Sequence, residues 1–150
     1  MKDDRRKMNA ALKAIVVPKI RDLGFSGSFP HFRRKRGTEH QLLMLFFSKY
    51  GGSFYIEAAR QSDDEFRQTQ KEWEAVGKPL LETQLTVGHC GYRVRLGGPS
   101  LTSNHWFVFG PENNSTRERF PVSPSHYEDI ANHVAAVVDS QSELFFSVAP

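Results

Sequence analysis

Apolar and polar positions change rhythm along this chain, and each change marks an element. Met8, Leu12, Ile15, Val16, Ile20 and Leu23 recur at three- and four-residue spacing, which predicts an amphipathic helix over residues 3–23. Pro18 lies inside that stripe. It has no amide donor and crowds the turn before it, so a kink or restart is expected there. Gly24 stands where a left-handed residue closes a helix, with Phe25 folding back on the last turn. Leu42 to Phe47 is an unbroken apolar run between polar residues, too short for a helix, and reads as a central strand. Gly51-Gly52 supplies a turn, in a loop that can also take in Lys49 and Tyr50. Beyond it, Phe54, Ile56 and Ala58 alternate with Tyr55, Glu57 and Ala59, giving one core face and one wetter face. The rest of the chain flanks or covers this hairpin.

Ser26 to Pro30 reads as loop and Phe29 to Arg36 as an edge strand. Ser62-Asp63-Asp64-Glu65 is a capping box; the helix behind it docks through Phe66 and Trp73 and ends at Gly77 and Pro79. Three strand candidates follow, Glu82 to Val87, Cys90 to Leu96 and His105 to Phe109, punctuated by Gly88 and Gly97-Gly98-Pro99. In the second, Tyr92, Val94 and Leu96 take the core side and Arg93 and Arg95 the other. Pro111 to Pro121 is a polar loop, and its formal glycosylation match at Asn113-Asn114-Ser115 carries no meaning in a cytosolic chain. The last helix starts at Ser123-Pro124 or at a second capping box, Ser125 with Glu128, and buries Tyr127, Ile130, Val134, Val137 and Val138. Leu144 to Val148 either extends it or adds a short strand. The expected architecture is α+β: one domain over residues 1–150, with a mainly antiparallel sheet of about five to six strands packed against N- and C-terminal helices.

Composition narrows the setting. At 150 residues the chain can bury one ordinary core, and twelve Phe against three Met give that core an aromatic bias. A net charge of +3 is a mild bias, too small to mark a nucleic-acid binder by itself. Cys90 is the single cysteine, which excludes an internal disulfide and fits a reducing compartment. The apolar stretch near the N-terminus is too short and too charged for a signal peptide, and no run reaches the roughly 20 residues of a bilayer span. A cytoplasmic location is expected.

Candidate chemistry is sparse. The six histidines show no metal-ligand spacing with a Cys, Asp or Glu; His126 and His133 stand two helical turns apart, about 10 Å, too far to share an ion. His89-Cys90 points to opposite sides of a strand, so Cys90 reads as a buried structural thiol. Asp63, Asp64 and Glu65 are explained by a charged first helical turn. Glu57, in mid-strand, needs Arg60, Arg93 or Arg95 as a partner if its face is covered. No catalytic, cofactor or metal site is expected. The favoured reading is a non-enzymatic binding module whose outward sheet face, Tyr55, Glu57, Arg93 and Arg95, meets a protein or an anionic ligand. The rival is nucleic-acid binding through Arg33, Arg34, Lys35 and Arg36, although alternation on a strand keeps those four off a single face. An enzyme of unrecognised type comes third.

The order of these segments carries a resemblance. Leu23-Gly24-Phe25 closes the opening helix and leads into an aromatic and basic strand. Ser48-Lys49-Tyr50-Gly51 sits at the hairpin turn, with Phe54-Tyr55-Ile56 after it. Arg93-Val94-Arg95-Leu96-Gly97, His105-Trp106-Phe107 and an amphipathic C-terminal helix complete the series. In this the chain resembles the bacterial domain of unknown function 4304 over nearly its whole length. The resemblance implies the fold and a bacterial origin, and brings no activity, substrate or catalytic residue.

Overall fold

In the computed structural model, which describes residues 2–111, 116 and 118–148, the opening stripe is one continuous helical rod with a change of pitch. Helix α1 (Lys2–Ala11) passes into a π turn over Leu12–Val16 and then α2 (Val17–Asp22). The Val17 amide bonds Leu12 O, five residues back, and this wider turn makes room for the ring and missing donor of Pro18. Gly24 then closes α2, and the Phe25 amide returns to Ile20 O at 3.3 Å.

Strands β1 (Ser26–Ser28), β2 (His31–Arg36), β3 (Glu39–Phe47) and β4 (Ser53–Ser62) form an antiparallel meander. The segment expected as loop therefore contributes an edge strand: β1 pairs β2 across a turn at Phe29-Pro30, with Ser26 opposite Arg33. The β3–β4 hairpin is the longest pairing, from Glu39 opposite Ser62 to Phe47 opposite Phe54. Its loop is residues 49–52, closed by the Ser48 amide on Ser53 O at 2.9 Å. Gly52 also lies against Gly110, where a Cβ on Gly110 would stand 2.8 Å from the Gly52 Cα. Only glycine fits that contact.

Helix α3 (Asp63–Ala75) follows, with Ser62 and Glu65 in a reciprocal capping box. The expected strand at Glu82 to Val87 is absent; two single-turn 3-10 helices, Glu82–Gln84 and Val87–His89, take its place. The side chains of Gln84 and His89 accept the amides of Leu81 and Thr86, so these turns satisfy their own backbone and need no strand partner. The next two strands shrink to β5 (Arg93–Arg95) and β6 (Phe107–Val108). Tyr92, expected in the core, lies outside β5 and is exposed. Helix α4 (His126–Ser147) absorbs most of the apolar tail, and its expected capping box is not made: the Ser125 hydroxyl donates to Asp129 instead. The polar stretch at residues 112–115, with the glycosylation match, lies outside the described residues.

The two sheet faces are covered differently. On one, Phe32, Leu43, Leu45, Phe54, Ile56, Ala58, Val94 and Phe107 pack against the helical rod and α4 to form the main core. On the other, Leu42, Met44 and Ala59 meet Phe66 of α3 and Leu80, Leu85, Val87 and Cys90 of the segment after it. The sequence expectation left this second face without a helix; the structure closes half of it. Burial raises the Cys90 thiol pKa to about 12, as for an inert core cysteine. No helix among the described residues is long and apolar enough to cross a membrane.

Candidate binding face

The open half of the second face lies where β3, β4 and β5 run side by side. Alternation along β4 turns Tyr55, Glu57, Ala59 and Gln61 away from the main core. Tyr55 stands opposite Phe46 of β3, and Glu57 opposite both Met44 of β3 and Arg95 of β5. β5 and β6 both pair with this edge of β4, in line, separated by the excursion at residues 97–105. The excursion is held by Gln141 of α4, which accepts the Gly97 amide at 2.7 Å. Gly97, at φ 111°, leaves room for Phe107 and His105, since a Cβ there would stand 2.5 Å from Phe107 Cζ. When the chain rejoins the edge, Trp106 falls beside Tyr55 and Arg95.

The result is a layered cluster. Phe46 stacks on Tyr55 at 5.1 Å, and the Arg95 guanidinium lies over the Tyr55 ring at 3.8 Å and 5.0 Å from that of Trp106. Trp106 meets Tyr55 edge to face at 4.9 Å. Arg95 is thus oriented by aromatic contacts, yet among the described residues no protein acceptor bonds its guanidinium, and its buried Nη1 is without a partner. Glu57, 9% exposed, has Arg93 Nε at 3.9 Å. The Tyr55 phenol pKa is raised, first by burial and then by the charge of Glu57. Tyr55, Glu57, Arg93 and Arg95 therefore share one face. Phe46, 47% exposed, and Trp106 join them, although the sequence reading placed Phe46 in a central apolar strand and gave Trp106 no part in this face. Arg60, one of the partners considered for Glu57, lies on the opposite face, where it bonds Glu39 at 2.6 Å and the carbonyls of Phe145, in α4, and Val148, just past its end.

The basic strand divides as its alternation requires. Arg34 and Arg36 turn to the main-core face; Arg33 and Lys35 turn to the other. Arg34 is buried, donating to Leu23 O at 2.6 Å and Gln41 Oε1 at 2.7 Å between the rings of Phe25 and Phe146. Arg36 lies 3.7 Å from Glu143, and Lys35 3.2 Å from Asp63. Arg33 is half-buried beside a cleft of about 310 Å³ between β1 and the 3-10 turns.

No group of three or more His, Cys, Asp or Glu side chains among the described residues is placed to hold a metal ion. His105, His126 and His133 do line one open groove, of about 510 Å³, between β6 and α4. His126 Nε2 is within 2.8 Å of Phe109 O, so one of these rings is already engaged by backbone.

Fold and face define a class: a small α+β protein on one antiparallel sheet, its first face closed by terminal helices and its second left partly open around an aromatic-held arginine. Within that class, the chain belongs to the family described as Domain of unknown function (DUF4304), whose model matches residues 16–119. No curated protein and no solved structure matches the chain.

Proposed function

We propose that this is a non-enzymatic binding module, and that the face formed by Phe46, Tyr55, Arg95 and Trp106, with Glu57 and Arg93 beside it, receives an anionic group of its partner. One observation carries the reading: Arg95 is oriented by two aromatic rings, its buried Nη1 has no partner, and no acceptor among the described residues bonds its guanidinium. A stacked guanidinium presents a rigid fork of donors suited to carboxylate or phosphate, and Arg, Tyr and Trp dominate recognition surfaces. The basic strand supports nucleic-acid binding less well, because Arg34 is enclosed and Lys35 and Arg36 each lie near a carboxylate. A cytoplasmic setting accords with the single, deeply buried thiol.

The test is a backbone and indole NMR titration with three probes: a blocked peptide rich in Asp and Glu, inorganic phosphate, and a mixed-sequence oligonucleotide at low and physiological salt. Shifts centred on Phe46, Tyr55, Arg95 and Trp106, absent in Arg95→Ala, are expected with the first or second probe. Shifts centred on residues 31–36 that collapse with salt would replace this reading with the nucleic-acid one. No shift with any probe would remove both.

A further inference from the structure

The edge of the sheet beside Arg95 has backbone groups turned outward. Leu96 N–H bonds Ile56 O at 3.0 Å, and Phe109 N–H bonds Gly52 O at 2.9 Å. Bonded and non-bonded pairs alternate along an antiparallel ladder. With Phe54 opposite Phe107 and Ser53 opposite Val108, the N–H and C=O of Val108 must point away from β4. The same alternation turns those of Arg95 outward, and, if the register is carried back one residue, those of Trp106. Among the described residues, neither Trp106 nor Val108 makes a backbone hydrogen bond outside the sheet.

Along this edge runs the groove of about 510 Å³, with His105, Trp106 and Val108 on the strand side and His126, Ile130 and His133 on the α4 side. The helix positions recur at three and four residues, so they present one continuous wall. Val108 is 70% exposed and Trp106 36%. A strand edge with unpaired backbone groups beside a helix-walled groove is the geometry in which an extended segment adds as a further strand. Its side chains then alternate: one set enters the groove, the next lies on the face of Trp106 and Arg95. A two-residue edge supplies few backbone bonds, so groove and guanidinium must give most of the selectivity.

We infer that the β6 edge accepts an extended segment of another polypeptide as an added strand, with an acidic side chain of that segment on Arg95 and an apolar one in the groove beside α4. This rests on the binding-face reading above and names its partner.

The test selects binders from a displayed library of random linear peptides and measures a selected peptide against variants. Selected sequences should carry an acidic and an apolar residue at odd spacing, since the two occupy opposite sides of a strand. Val108→Pro removes an outward N–H and no ladder bond, a position where an edge strand tolerates proline. It should weaken binding about tenfold, the worth of one well-made hydrogen bond. Val108→Thr should bind like the parent, and Arg95→Ala should also lose affinity. If Val108→Pro fails to fold, N-methylation along the synthetic peptide replaces it: losses at every second amide are expected, and losses without that period overturn the proposal. Binding lost in Arg95→Ala but retained in Val108→Pro would overturn strand addition while leaving the face reading intact. A library that yields no binder would overturn both. Self-association that Val108→Pro abolishes would put a second copy of the chain at this edge and overturn the proposal as well.

Discussion

Arg34 and Arg95 both lie against aromatic rings, and what their nitrogens meet separates structure from recognition. Arg34 donates to Leu23 O, the end of α2, and to Gln41, with Glu143 of α4 at 3.3 Å; only its Nη2 lacks a partner. It ties together two helix ends and the sheet. Arg34→Ala should therefore lower stability by about 3 kcal/mol, because it strands the part-buried Leu23 carbonyl and the buried Gln41 amide oxygen. Equilibrium denaturation checks this, and a loss near zero would mark Arg34 as a ligand-binding residue. The sequence showed four basic residues in a row, and alternation divided them correctly. Which of them is enclosed depends on where Phe25 and Phe146 land, and no local pattern carries that.

Helices are where local chemistry was most legible. The box at Ser62 and Glu65 forms as its spacing predicts, with Ser62 Oγ accepting the Glu65 amide at 3.1 Å. Ser62→Ala should cost about 1 kcal/mol in a thermal or denaturant melt. The strand predicted at Glu82 to Val87 failed because the side chains of Gln84 and His89 satisfy nearby backbone groups, an outcome that apolar alternation cannot reveal. The tie between α1 and α4 was equally hidden. Asp4 is buried and accepts hydrogen bonds from two Arg119 nitrogens at 2.9 Å each and from the Tyr127 hydroxyl. The Arg119 hydrogen bonds hold its carboxyl well below the usual range against the opposing effect of burial. A depressed folded-state pKa gives stability that is present above the unfolded value, about pH 4, and lost as pH falls below it. Burial, then Asp4, raises the Tyr127 phenol to about 12, so its contribution is whole below the unfolded value of about 10 and is lost above it. Stability measured from acid to neutral pH should fall less steeply below about pH 4 in Asp4→Asn than in the parent. An unchanged acid limb would contradict the assignment.

Across the whole molecule, the sheet and its terminal helices could be read from periodicity, and so could the shared side of Tyr55, Glu57, Arg93 and Arg95. The site's boundary could not. Phe46 sits in an apolar run that reads as core throughout, and its exposure follows from α3 ending its cover at Leu42, Met44 and Ala59. Trp106 joins Arg95 only because β5 and β6 resume one edge across residues 97–105, a matter of register over distance. The central claim is that Arg95 is held in place for an outside acceptor and does little for the fold. Its most direct test needs no ligand: the denaturation free energy of Arg95→Ala against the parent. The account predicts a loss under about 1 kcal/mol, the scale of a partly exposed cation–π contact with no hydrogen bond to break. A loss of several kcal/mol, matching that of Arg34→Ala, would contradict it and make Arg95 a structural residue.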